Sequence, residues 1–455
     1  MFLQLYIVLI LFFNYHVLKK GSLFNLCLFT YYMVYLYIAP IFQIYYKKFP
    51  NNLIFIYKYA FINVLMSTLF LIVYMFIDKS KKYNLASIIA NKIVNYLRFT
   101  TTNVNLNKLL PYFILISMFL IYFMRNYLID VLIIAEGNIA LVPDNNVRAI
   151  QLIIKKFLFF VGIIPFLIAF SKLKFKNNSL KTILFFLLTF AIAFIFKNPF
   201  NEKRGVLGSI YLSWFFYFIL LKKNFVITKK TLIYFFIFLF LSLLFLYPTV
   251  KVFTHLYFNF AKIVEEPSRF FDITLNYLTN FERNITSLDY DSWINAQFTF
   301  EYIDKFGYKW GKQTLTSLLF FVPRSIYKKK GEGTGGIIGD YIISNYGGFQ
   351  RQISNPVYSE AFFDLSIFGL FLYAMFLNFL SKTSSYLKKT NNNYLILYSL
   401  FIDFYVLFLF RGDFISCLAY FVGYSLATIS IPFLIIKLQK LFTKKLILLS
   451  YEKSD

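Results

Sequence analysis

Little of this 455-residue chain is charged, and the charge it has is lopsided: 47 lysines and arginines stand against 21 aspartates and glutamates. Only 15% of its residues are charged, while 59% are hydrophobic. A soluble globule cannot hide that share of apolar surface, which excludes the ordinary water-soluble classes. Cysteine is nearly absent. Cys27 and Cys417 both lie inside apolar runs, giving neither a disulfide framework nor a metal-ligand spacing. Histidine is equally scarce, and His16 and His255 alone do not make a histidine-based metal site. The N-terminus has no basic segment leading to a small-residue cleavage site, so residues 1–18 are expected to form a first membrane span and not a removed signal.

What is abundant is hydrocarbon. The 62 phenylalanines and 37 tyrosines, with frequent Lys, Asn and Ile, point to an AT-rich genome and say little of function. Apolar runs lie near 2–18, 23–45, 53–77, 109–134, 152–171, 181–197, 205–221, 231–248, 362–380, 393–410 and 414–436. Since ~20 residues cross the hydrocarbon core, these predict an all-α polytopic membrane protein of about eleven transmembrane helices. The net charge of +26 would fit a nucleic-acid binder. The basic residues instead fall in short clusters between apolar runs, as orientation signals do, so no nucleic-acid partner is expected.

Alternate loops are basic: Lys19–Lys20, 79–108, 172–181, 222–230, 382–389 and the tail after Ile436. The positive-inside rule puts these in the cytoplasm, with the N-terminus outside and the C-terminus inside. Lys47–Lys48 dissents. The same parity places 135–151, 198–204, 249–361 and the turn 411–413 outside. The expected organisation is an N-terminal bundle of about eight helices (1–248), a large extracytoplasmic loop (249–361), about three C-terminal helices (362–436) and a basic cytoplasmic tail (437–455). No internal repeat is visible, which weighs against transporters built from two similar halves.

Charges at span ends carry the functional expectation, because ionisable groups in membranes usually face a bundle interior. Arg204 opens one span, and Arg411 and Asp413 close a turn between two others, all on the predicted outer side. Arg125 and Asp130 lie near the outer end of the fourth span, and Lys58, Asp364 and Asp403 interrupt others; snorkelling or structural ion pairs would explain these as well. The loop adds Arg269, Arg283, Arg324, Lys328–Lys330 and Arg351. Arginine binds phosphate bidentately and stays charged when partly dehydrated, so arginines gathered at one leaflet fit a diphosphate headgroup. Ordinary anionic lipid is the bland alternative. Glu360 at the loop's end is a candidate general base, and equally a favoured residue at a helix N-terminus. His255 is the other base near neutrality.

Other motifs are discounted. Asp289-Tyr290-Asp291 has the form that binds a metal–nucleotide sugar, but it lies on the side where such sugars are absent. The run Gly331–Gly336 is no P-loop, lacking a preceding strand and a following Gly-Lys-Ser/Thr. Arg411-Gly412-Asp413 is squeezed between spans and cannot present an adhesion loop. Asn284-Ile285-Thr286 is a glycosylation sequon of no consequence outside a glycosylating host. Trp293 and Trp310 fit either sugar stacking or an interfacial aromatic belt.

The whole plan, with Lys203-Arg204-Gly205, the stretch Phe321–Tyr327 with Pro323-Arg324, the stretch Pro356–Phe363 leading to Phe368-Gly369, and Arg411-Gly412-Asp413, resembles the Wzy-type oligosaccharide repeat-unit polymerases of O-antigen and capsule synthesis. That resemblance implies a metal-independent, cofactor-free glycosyltransferase that polymerises undecaprenyl-diphosphate-linked glycans, with membrane lipids and a chain-length regulator as partners. It implies Glu360, Arg204 and Arg411 as catalytic, and Arg324, Lys330, Arg351, Asp413 and Arg283 as diphosphate-binding. The O-antigen ligase, with a similar plan and a histidine, is the nearest alternative, followed by a lipid-linked oligosaccharide flippase.

Overall fold

The computed structural model describes residues 2–79, 85–102, 109–126, 128, 145–174, 178–198, 204–222, 227–250, 252, 260–322, 326–328, 330–390 and 392–437. All regular structure among them is helical. The order is α1 (Phe2–Lys19), α2 (Leu23–Tyr46), α3 (Tyr57–Lys79), α4 (Leu85–Thr102), α5 (Leu110–Phe123), α6 (Ile154–Ser171), α7 (Leu180–Phe196), α8 (Arg204–Lys222) and α9 (Lys229–Thr249). Then come α10 (Pro267–Thr279), α11 (Ser292–Phe306), α12 (Lys312–Leu318), α13 (Thr334–Tyr346), α14 (Val357–Lys388), α15 (Asn393–Arg411) and α16 (Phe414–Lys437). Among the described residues nine helices are long and apolar enough to cross a membrane, and α5 and α7 are shorter apolar helices. The chain is thus a polytopic helical membrane protein.

Helices form here because, without water, the backbone must bond to itself. Their starts are set by side-chain caps. Ser22, Ser179, Thr228 and Asn392 each accept a backbone N–H of the following first turn. All four lie at or next to the basic segments, so capping and charge signals coincide along the sequence.

The ends of the spans separate into two sets that agree with the alternation read from the loops. At one end of the bundle Lys20 just after α1, Asp78 of α3 and Lys382 of α14 meet, with Lys20 Nζ and Lys382 Nζ 2.6 and 2.7 Å from the buried Asp78 carboxylate. Near it, Asn393 of α15 donates to the Ser171 carbonyl that ends α6, 3.1 Å away. At the other end Gln43 of α2 donates to the carbonyls of Ile285 and Tyr290 at 2.8 and 3.0 Å. There Lys48 Nζ lies 2.6 Å from Glu282, so one of the dissenting lysines has an acidic partner in the long segment between α9 and α14.

Packing joins early and late parts of the chain. α15, the most buried span, lies against α2 and α8 as well as α14, and α14 lies against α3. The segment 249–361 also enters this packing. Its helix α11 is buried along most of its length and packs against α3 and α14. Asn63 of α3 fixes it, donating to the Trp293 carbonyl at 2.8 Å while accepting from Tyr358 at 2.6 Å.

α14 begins at Val357, earlier than the apolar run implies, and is broken at Leu365–Ser366, where Ser366 takes φ +56°. The break frees the carbonyls of Phe363 and Asp364, which accept from the N–H groups of Lys309 and Gly311 at 3.0 and 3.1 Å. The Asp364 side chain accepts from the N–H groups of Gln313 and Thr314 at 2.9 and 2.8 Å, capping α12. The three charges that interrupt apolar runs are thereby accounted for. Asp364 caps a helix, Lys58 pairs with Asp304, and Asp403 pairs with Lys388.

Candidate functional site

A cavity of about 630 Å³ lies between α8, α9, α15 and the start of α16, closed on one side by residues 352–354. Its walls are apolar over most of their length, with Leu212, Phe215, Phe238, Leu239 and Leu243 among them. Phe215 and Phe238 are in tilted contact, ring centroids 5.4 Å apart, and both are partly exposed. Its polar end carries Arg204, Arg411, Asp413, Tyr35 and Tyr247. Two π-helical stretches, Tyr32–Ile38 in α2 and Ser242–Leu246 in α9, supply Tyr35, Ser242, Leu243 and Leu246 to this lining. Such widened turns often turn side chains toward functional sites.

Of the expected site residues, Arg204, Arg411 and Asp413 line the same cavity. Arg204 opens α8, Arg411 closes α15, and both guanidinium groups lie over the Tyr247 ring, 4.9 and 5.2 Å from its centroid. Arg411 donates to the Tyr247 hydroxyl and, at 3.1 Å, to the Leu288 carbonyl. Asp413, just before α16, accepts the Thr334 N–H at 3.1 Å. The approach is close enough to require glycine: a Cβ on Gly333 would lie 1.9 Å from the Asp413 carboxylate. Gly333 therefore packs the glycine-rich run against the α15–α16 turn, and Gly335 packs it against the Ile353 carbonyl.

Asp289-Tyr290-Asp291 enters the site by a route that a metal–sugar motif does not suggest. Asp289 pairs with Arg204 at 2.7 Å, and Asp291 stands 3.9 Å from Arg411. Tyr290 between them donates to the Leu243 carbonyl at 2.6 Å, anchoring the turn to α9. Asp291 also accepts from Ser354, and from Asn295 at 2.8 Å. Burial pushes its carboxyl above the ordinary carboxylate range, while Arg411 and these donors oppose the shift. The signal present in the sequence was charge matching: two acids two residues apart in the segment facing two arginines at span ends. The middle of the long segment, and not only its last third, thus reaches the site.

The remaining candidates lie elsewhere. Glu360 is fully buried and does not line the cavity. Its oxygens accept from the Thr334 hydroxyl and the Phe414 N–H, each at 3.0 Å, so it ties α13 and α16 to α14. Arg351 is exposed and paired with Asp340 at 2.7 Å and Glu332 at 3.0 Å. Lys330 donates to the carbonyls of Phe320 and Val322 at 2.6 and 2.9 Å. Arg283 lies over the Tyr277 ring. None of these three lines the cavity. Arg324, His255 and Asp130 fall outside the described residues. Asn284 of the sequon is buried and donates to the Tyr277 carbonyl.

In comparison with known proteins, no family model matches the chain, and no curated protein or solved structure shows significant similarity to it.

Proposed function

We propose that this protein polymerises undecaprenyl-diphosphate-linked oligosaccharide repeat units by glycosyl transfer at the outer face of a bacterial cytoplasmic membrane. The observation that carries the reading is the shape of the cavity: an apolar shaft lined by Phe215 and Phe238, which keep accessible surface, and ending at two arginines. That polarity fits an anionic headgroup with a hydrocarbon tail and fits a free sugar or an ion poorly.

In the proposed reaction the donor's anomeric C–O bond to diphosphate breaks as a hydroxyl oxygen of the acceptor glycan bonds to that carbon. The acceptor's proton goes to a protein base, and the diphosphate leaves with its charge held by arginine. Arg411 is the better placed to receive it. Its acidic neighbour is 3.9 Å away and its Nε has no hydrogen-bond partner, whereas Arg204 is held by Asp289 at 2.7 Å. Asp413 is the carboxylate in the cavity lining and takes the role of base in this proposal. Glu360 is then a positioning residue, holding Thr334 and Phe414 on either side of Asp413.

The test uses cells that make the lipid-linked repeat unit. Arg411→Ala and Asp413→Asn should leave the protein in the membrane but yield single repeat units in place of long chains. Glu360→Gln should shorten the ladder without abolishing it. Normal ladders from both Arg411→Ala and Asp413→Asn would refute the assignment.

A further inference from the structure

The segment between α11 and α13 presents an apolar surface that the cavity does not use. Trp310, Leu315, Leu318 and Phe321 are all exposed, Trp310 at 74% and Leu318 at 59%. Leu315 and Leu318 stand three positions apart on one face of α12, and Phe321 follows in the turn after it. The opposite face, with Gln313, Thr316 and Ser317, is buried, and α12 packs on α16.

Nothing about this surface is loosely held. Residues 307–311 take φ values of +76° at Gly307, +51° at Trp310 and +85° at Gly311. The left-handed backbone at a tryptophan is disfavoured and persists only where the surroundings impose it. Here the N–H groups of Lys309 and Gly311 are bound by the broken turn of α14, and the Asp364 carboxylate caps α12. The indole is projected from a rigid loop, edge-on to Tyr308 with ring centroids 5.5 Å apart.

We infer that this surface is inserted in the bilayer interface, with lipid as its partner. Two observations select lipid over a second protein. The α12 end of the patch is continuous with the outside of a membrane span: α12 is capped at the break in α14, and Ile367 and Phe368 within the next turn are as exposed as Leu318. A cation also stands at the edge of the apolar face, with Lys312 exposed at the start of α12, the arrangement that suits anionic headgroups above an apolar layer. A tryptophan at that depth is the usual interfacial anchor. The segment would thereby be held at the membrane surface while Gly331, through its N–H to Thr316 Oγ1 at 3.0 Å, ties it to the glycine run against Asp413.

The chain makes the test direct. It has three tryptophans, and the other two, Trp214 and Trp293, are buried with indole N–H groups lacking hydrogen-bond partners, so phenylalanine there removes no hydrogen bond. In a full-length Trp214→Phe/Trp293→Phe protein in nanodiscs of phosphatidylcholine and phosphatidylglycerol, Trp310 emission should be blue-shifted. It should also lose intensity when the lipid chains carry bromine, and be little affected by acrylamide in the buffer. A parallel measurement avoids core substitutions. Both native cysteines are buried, so an environment-sensitive dye on Leu318→Cys reports one site in an otherwise unaltered chain. Its emission should match an apolar environment and be quenched by brominated lipid. Water-like emission and free acrylamide access at both positions would overturn the inference. So would apolar emission without bromolipid quenching, which would mean that protein or glycan covers the patch.

Discussion

Replacing Asp289 by alanine tests how the arginine end of the cavity is held. Arg204 and Asp289 form a 2.7 Å ion pair with side chains only 11% and 3% exposed. Without Asp289 the guanidinium keeps the Tyr247 carbonyl at 3.3 Å and the face of the Tyr247 ring, neither of which carries a full negative charge. Breaking a buried pair by removing one partner typically costs about 3–5 kcal/mol, chiefly because a charge is left buried and uncompensated. The exposed Lys48–Glu282 pair is the internal control: removing Lys48 should cost no more than about 1 kcal/mol. Arg204→Ala/Asp289→Ala removes both charges and should recover much of the loss, giving a coupling on the order of 3 kcal/mol. The assay is reversible unfolding in mixed micelles followed by intrinsic fluorescence. Added pyrophosphate supplies a second readout. It offers the missing negative charge, so at a hundredfold excess over its dissociation constant for Asp289→Ala it should stabilise that variant by about 2.7 kcal/mol, and the unaltered protein, which binds it more weakly, by less. A loss below about 1 kcal/mol in Asp289→Ala, or strictly additive single substitutions, would refute the claim that the pair is a buried electrostatic clamp.

Two further predictions concern other charges. Burial raises the Asp291 carboxyl above its unfolded value, so the folded state binds this proton more readily than the unfolded chain does. The group therefore favours folding most below its unfolded pKa and loses that contribution as pH rises through the folded pKa. Relative to Asp291→Asn, the unaltered protein should gain stability on mild acidification, measured as the difference of their melting temperatures across pH; a flat difference would contradict this sign. At the opposite end of the bundle, Asp78 is 2.6 Å from both His16 and Lys20 and 2.7 Å from Lys382. Asp78→Ala removes the shared acceptor and should cost about 3–5 kcal/mol, read as a drop in folded protein recovered by size-exclusion in detergent.

Much of the scaffold was legible in the residues. Apolar runs mark the membrane-crossing helices because the hydrocarbon core imposes both length and composition, whereas α4 and α10–α13 lie outside them. The basic loops sorted the span ends into two sets that the tertiary hydrogen bonds respect, as with Lys20, Asp78 and Lys382. The partial exception was α14. Its first two turns, with Glu360 and Asp364, look like the polar end of a loop, because the groups that satisfy those carboxylates lie 26 to 54 residues away in α12, α13 and α16. Helix α4 was read as a loop since its apolar residues fall on one face and never form a continuous run.

The site divides in the same way. Arg204, Arg411 and Asp413 stood out from sequence alone, because a charge at a span end is costly and seldom idle. Arg283, Lys330 and Arg351 stood out equally, yet local carbonyls, an aromatic ring and neighbouring carboxylates engage them. Asp289 and Asp291 were passed over because a motif matched locally says nothing of what lies opposite it. Composition and charge order thus determined that this chain crosses a membrane many times and with what alternation, since one-dimensional signals suffice for partition between lipid and water. Which charges meet, which carboxylate faces the cavity and which merely pins helices was decided by packing among α8, α9, α15 and α16. Those contacts join residues up to about two hundred positions apart, and no local rule of sequence encodes them.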